Sequence, residues 1–235
     1  MSLPTIKVPE YKMELPSNGK EMKYRPFLVK EEKVLHVAME SGDSETMVDA
    51  ISRVVSSCFS MEESEVREMP LFDLEYCFLQ IRSKSVGEVA TPSVKCSECG
   101  NVYEVDVDVS EIGIEKDEKH STNIELSDGV GVMMKYPSLG ELGSGVANDS
   151  SSEAALDILI DCIDKVYDSE NVHDRKDFSR DDIEEFVEGL TKDNFEKISN
   201  FFETMPKTQK KVEHKCPNCG HEDEIDIEGI ENFFG

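Results

Sequence analysis

Lys95-Cys96-Ser97-Glu98-Cys99-Gly100-Asn101-Val102-Tyr103-Glu104-Val105-Asp106-Val107 returns later in the chain as Lys215-Cys216-Pro217-Asn218-Cys219-Gly220-His221-Glu222-Asp223-Glu224-Ile225-Asp226-Ile227. Every matched position is offset by 215 − 95 = 120 residues. Each copy is a C-x-x-C-G turn followed by an acidic, alternating segment. Two thiolates two residues apart can hold one metal ion across a tight turn, and the glycine lets the backbone fold back beneath the sulfurs. Two such knuckles supply Cys96, Cys99, Cys216 and Cys219, four soft ligands for a closed tetrahedral Zn2+ site that stabilises and leaves no position for catalytic water. Two other readings stay open on the sequence alone. One takes the pairs as disulfides or redox thiols, and the other brings His214 and His221 into a mixed ligand set.

Working outward, Tyr103, Val105, Val107 and Val109 alternate with acids and predict one half-buried strand. Thr122–Leu126 and Val130–Tyr136 flank Asp128-Gly129, a hairpin signature. The small, polar run from Gly140 to Ser152 predicts a loop. On the N-terminal side the period is helical. Val34, Leu35, Ala38 and Met39 form a short stripe. Met47, Val48, Ile51, Val54, Val55 and Cys58 form a longer one, with Asp43 or Ser44 as its cap. A third helix starts near Pro70 and carries Leu71, Leu74, Phe78 and Ile81.

Beyond the loop, helices are predicted over Ala154–Tyr167, from Ser179 through Val187, and from Thr191 to Pro206. The first 26 residues hold Pro4, Pro9, Pro16 and Pro26 and the turn Ser17-Asn18-Gly19, and predict an extended arm with one short hairpin. The expected fold class is therefore α+β: an N-terminal helical domain and a split zinc ribbon carrying a mainly helical insertion. The expected boundaries are 1–26 for the arm, 27–88 for the helical domain and 89–235 for the ribbon, with the insertion at about 110–210.

The 235 residues hold 25 Lys+Arg against 51 Asp+Glu, a formal charge of −26. A body this acidic repels polyanions, so free DNA or RNA binding is disfavoured. No apolar run approaches the roughly 18 residues of a membrane-spanning helix, and the N-terminal sequence lacks the pattern of a secretory signal. Cys58, Cys77 and Cys162 fall on apolar faces and read as buried thiols, which fits a reducing compartment. The charge is uneven. Residues 1–35 have seven Lys+Arg and five Asp+Glu, whereas His221–Gly235 has six acids and no Lys or Arg. That last stretch ends in Phe233-Phe234, an apolar pair that either folds back or docks elsewhere.

No P-loop, G-x-G-x-x-G, H-E-x-x-H or G-x-S-x-G occurs in the sequence. His36 lies in a helical stretch and reads as packed or surface-exposed. The methionines are dispersed, and Phe195, Phe201 and Phe202 read as core. No catalytic residues are assigned.

Several strings together resemble one family. They are Leu15-Pro-Ser-Asn-Gly19, Tyr24-Arg-Pro-Phe-Leu-Val-Lys-Glu-Glu-Lys33, Asp73-Leu-Glu-Tyr76 with Arg82-Ser-Lys-Ser-Val-Gly87, and Phe201-Phe-Glu-Thr-Met-Pro206. With the two knuckles and the Phe233-Phe234 tail, they are similar to the baseplate hub or hub-assembly proteins of T-even-like contractile-tailed bacteriophages. The resemblance implies a non-enzymatic viral protein that works with other hub or tail proteins, or with itself, in the host cytoplasm or in the virion tail baseplate. A zinc-ribbon adaptor of nucleic-acid machinery is the alternative. It predicts a basic or aromatic face, whereas the segments behind both knuckles are acidic.

Overall fold

The computed structural model describes residues 6–142 and 152–228. The chain is mixed helix and sheet and divides into two compact units. Lys116–Pro206 forms one, and the chain up to Glu115 together with that from Lys207 forms the other.

The first unit begins with a hairpin of β1 (Tyr11–Glu14) and β2 (Glu21–Tyr24), with Tyr11 opposite Tyr24. Gly19, at φ 69°, takes the left-handed conformation that its turn needs. Met13, Leu15 and Tyr24 are buried, the Tyr24 ring stacks on Phe59, and the Ser17 N–H donates to Asp73 at 3.0 Å. Residues 11–24 form the expected short hairpin and are fastened to their own unit.

Helices α1 (Val29–Ser41) and α2 (Ser44–Phe59) follow as a hairpin, then α3 (Glu63–Arg67) and α4 (Leu71–Ser85). Asp43, one of the two expected caps, accepts the Thr46 N–H at 2.8 Å. Ile51, Val54, Val55 and Cys58 of α2 and Leu74, Phe78 and Ile81 of α4 are buried. The α1 stripe is only half right. Leu35 and Ala38 are buried, but Val34 and Met39 are 38% and 39% exposed.

Leu79 of α4 also packs with Ala90, Val107, Val109 and Ile112. Helices and knuckle strands therefore share apolar packing through α4. The strands here are β3 (Val89–Ala90), β4 (Ser93–Lys95), β5 (Val102–Glu104), β6 (Val107–Asp108) and β7 (Gly113–Glu115). The strand expected over 103–109 is two short ones. Tyr103 pairs with Val94 and Val107 with Ala90, and a 3-10 turn starts at Val109. The alternation survives the break because Val107 and Val109 still point inward.

The second unit holds β8 (Asn123–Ser127) and β9 (Val130–Met134). They are joined through Asp128 (φ 51°) and Gly129 (φ 77°), the double left-handed turn that Asp-Gly favours. Then come α5 (Leu139–Leu142), α6 (Ser152–Asp161), β10 (Ile163–Tyr167) and β11 (Val172–Asp174). Helices α7 (Arg180–Glu188) and α8 (Lys192–Thr204) complete it. Ser179 and Asp182 form the expected reciprocal cap of α7.

The single helix expected over 154–167 is a helix and a strand, and the insertion is α+β, not mainly helical. The chain leaves the helix at Cys162, and Ile163–Tyr167 becomes an inner strand of an antiparallel sheet in the order β11-β10-β9-β8. Ile163, Leu159 and Ile160 fall at helical spacing, yet all three end in one core with Val132, Ile198 and Phe201. A short apolar run fits either element, and pairing with β9 decides it. Of the three phenylalanines read as core, Phe201 is buried, Phe202 packs against that core and Phe195 is 37% exposed. Most of the Gly140–Ser152 loop and the Phe233-Phe234 tail lie outside the described residues.

The first unit closes with β12 (Lys207–Lys215) and β13 (Glu222–Glu228). β12 pairs with β13 on one side and β7 on the other. The buried Thr208 hydroxyl donates to the Phe72 carbonyl at 3.1 Å, fixing the base of β12 to the start of α4.

Candidate metal centre

The two knuckles are near-copies in three dimensions. In the first, the Cys96 N–H donates to the Asn101 carbonyl at 2.9 Å and the Gly100 N–H to the Cys96 carbonyl at 3.0 Å. In the second, the Cys216 N–H donates to His221 at 2.8 Å and the Gly220 N–H to Cys216 at 2.9 Å. Gly100 and Gly220 have φ of 70° and 75°, where a side chain is strained. Each knuckle caps a hairpin, with Lys95 opposite Val102 and Lys215 opposite Glu222.

All four sulfurs, from Cys96, Cys99, Cys216 and Cys219, lie within 4.8 Å of one another. Cys96 and Cys216 are buried, while Cys99 and Cys219 face outward. Cys96 Sγ lies 3.7 Å from Cys219 Sγ, and Cys99 Sγ 3.7 Å from Cys216 Sγ. A tetrahedron of Zn–S bonds of about 2.3 Å has S···S edges of roughly 3.8 Å. The donor set therefore fits a four-coordinate metal ion.

The electrostatics agree with that chemistry. The Asn101 N–H and the Asn218 amide favour the Cys99 thiolate and hold its pKa down to about 6. The Cys216 thiol is also lowered: burial opposes ionisation, but the N–H groups of Cys219 and Asn218 outweigh it. Cys219 moves the other way, up to about 12. The His221 N–H favours its thiolate, but burial and the three neighbouring thiols oppose it. Without a cation, four clustered thiols cannot all ionise. A divalent ion removes that conflict.

Groups outside the motif join the two halves. Ser97 donates to Asp223 at 2.7 Å, and Tyr103 meets His214 Nδ1 at 2.5 Å. The Asn218 amide donates to Cys99 Sγ at 3.6 Å. Tyr103 and Asp223 occupy equivalent positions of the repeat, but their partners Ser97 and His214 meet them only where the two hairpins come together. His214 and His221 stay outside the four-sulfur cluster. His214 is engaged by Tyr103, and His221 Nε2 lies 3.8 Å from Asp223.

The remaining cysteines, Cys58, Cys77 and Cys162, are buried. Burial pushes the Cys58 thiol up to about 11 and raises that of Cys77. His36 is exposed on α1. No helix among the described residues is long and apolar enough to cross a membrane.

No curated protein and no solved structure gives a significant match to the chain. A family model described as T4 bacteriophage base plate protein matches residues 8–235, and the chain belongs to that family.

Proposed function

We propose that this protein is a non-enzymatic component or assembly factor of the baseplate hub. In this reading Cys96, Cys99, Cys216 and Cys219 hold one structural Zn2+ that ties two distant chain segments together. The four-sulfur cluster carries the metal part of the proposal. The sulfurs come in pairs from two hairpins, and closing the long loop between them costs entropy that grows only slowly with its length. Four thiolates complete the coordination shell, so the ion fixes structure and has no open site for substrate.

The hub assignment rests on the family match together with the strings that resemble hub proteins. Its partners are other tail proteins, met first in the host cytoplasm. The net charge of −26 disfavours the nucleic-acid adaptor reading.

Mass spectrometry of purified baseplate intermediates beside finished particles tests the assignment. The protein is expected in hub-containing intermediates, with incomplete hubs when its gene is disrupted. Normal hubs without it would refute the role. For the metal, one zinc per chain that survives dialysis is expected.

A further inference from the structure

Helix α1 buries only Glu31, Leu35 and Ala38 of its 13 residues. Val34 belongs to the apolar stripe expected to face the core, yet it and Val37 are 38% and 56% exposed. With Ala38 of α1 and Ala50 of α2 they floor an open groove on the helical hairpin. Because α1 and α2 run antiparallel, Lys30, Lys33 and Arg53 gather at the end of the groove away from the turn, while Ala38 and Thr46 lie toward the turn. Lys30 reaches Glu31 at 3.3 Å. Lys33 and Arg53 have no ion-pair partner among the described residues. Asp49, the acid in the lining, is held by Arg67 of α3. One end of the groove is thus basic with two cations unneutralised, and its floor is apolar.

A groove between two antiparallel helices has the shape that accepts the ridge of a third. From Lys30 to Ala38 the lining runs about 12 Å along α1, or roughly two turns of a docked helix. Charge then selects the occupant. With −26 overall, most of the chain repels an acidic segment, and this basic end attracts one. A second copy of the chain fits poorly. An isologous pair would set two basic grooves face to face. Helix α7 is acidic and amphipathic, but it already buries Ile183 and Val187 in its own core.

We propose that the α1–α2 groove binds an acidic amphipathic helix of a partner protein. Apolar side chains of that helix, at i, i+3 or i+4 and i+7, seat on Val34, Val37, Ala38 and Ala50. Its acids lie over Lys30, Lys33 and Arg53, which fixes the direction of the helix along the groove. Resting on the hub reading, the inference makes the partner another tail protein; the metal centre plays no part in it.

The photocrosslinking substitution Val37→p-benzoylphenylalanine, in the full chain expressed during infection, captures whatever lies on the groove floor, and mass spectrometry sequences the captured segment. That segment is expected to be acidic, to carry apolar residues at helical spacing and to belong to a different protein. The same substitution at Val172, exposed in the second unit, should not capture it. A synthetic peptide of the captured segment is then titrated against the purified full chain. Lys33→Glu with Arg53→Glu should weaken binding by roughly tenfold, because like charges are brought together. Changing the peptide's acids to lysine should restore binding to that variant. Lys33 and Arg53 are exposed, and circular dichroism checks that the helices remain formed. If the variant does unfold, a salt titration of the unsubstituted groove reads the same contact, and affinity should fall as salt rises. Capture of a basic or non-amphipathic segment, of this chain itself, or of nothing overturns the proposal, as does binding indifferent to groove charge and salt. Capture of an acidic amphipathic helix from a protein outside the tail supports the groove and counts against the hub reading instead.

Discussion

Cys96 Sγ lies 3.7 Å from Cys219 Sγ, although 123 residues separate them in the chain. Cys99 and Cys216 stand in the same relation at 3.7 Å. These close pairs run between knuckles, so neither hairpin contains a complete site. Replacing a cysteine in either one should therefore have the same consequence. Cys99→Ser and Cys219→Ser are each expected to lose most of the bound zinc and to loosen both hairpins together. Metal analysis and hydrogen exchange check this: protection should fall over 93–104 and 207–228 in both variants. The Lys116–Pro206 unit has its own core, around Val132, Ile163, Ile198 and Phe201, and should keep its protection. A variant that frays only its own hairpin would point to two separate sites.

Thiol counting gives a second, independent reading of the same centre. The chain has seven cysteines. Cys58, Cys77 and Cys162 are buried, and burial disfavours the reactive thiolate of Cys58 and Cys77. With metal bound, native protein is expected to react with an aromatic disulfide reagent at almost no sites. After chelation, four thiols should react, Cys99 among the first because its pKa is held down to about 6. The other three should appear only in denaturant. Four reactive thiols before chelation would contradict a metal-filled centre.

The knuckles, the Asp128-Gly129 hairpin and the caps at Asp43 and Ser179 were legible because local chemistry dictates them. A C-x-x-C-G turn, an Asp-Gly pair and an S-x-x-D box each act over a few residues, whatever the rest of the chain does. Ile163–Tyr167 was not legible. Its apolar residues continue the helical spacing of α6, and only the edge presented by β9 favours a strand. The break at Val105-Asp106 was hidden for a similar reason: alternation records which side is buried and says nothing of which partner each half pairs with. At the four-sulfur cluster, the four cysteines could be read directly from the repeat. Tyr103, His214 and Asp223 could not, because their contacts exist only once the two hairpins meet.

Gly131 shows how tightly the second sheet is built. It is buried in β9 opposite Tyr167 of β10. An added Cβ would overlap the Tyr167 ring and stand 2.6 Å from the Ile124 carbonyl oxygen. Gly131→Ala is therefore expected to destabilise the unit by about 1–3 kcal/mol or more, the usual cost of overpacking. Gly129→Ala meets only ordinary contact with Ser169, at 3.7 Å, but sits at φ 77° and should cost about 1–2 kcal/mol. Thermal melts of the two variants check the order. If shortening the ring in Gly131→Ala/Tyr167→Leu recovers stability, the clash is the cause. No recovery would place the defect elsewhere.

Arg25 and Glu31 set the acid limit of the helical layer. Glu31 is nearly buried, with its side chain 6% exposed. It accepts from Arg25 at 3.0 Å, Ser57 at 2.9 Å and the Leu28 N–H at 2.8 Å. Burial alone would raise its pKa, but these donors and Lys30 outweigh it and lower it from 4.5 to about 2. A carboxylate whose folded pKa is depressed contributes stability above its unfolded pKa and loses it as pH falls. The contribution of Glu31 should thus be complete above about pH 5 and vanish progressively between about pH 4.5 and 2, amounting to about 3 kcal/mol. Glu31→Gln keeps the shape but removes the charge, leaving Arg25 without its buried partner. It should lower stability at neutral pH by a similar amount and flatten the acid limb of the curve. Denaturant unfolding at pH 7 and pH 3, followed by helical circular dichroism, checks both. A variant whose loss relative to the unsubstituted protein is equal at the two pH values would show that Glu31 is not the titrating group.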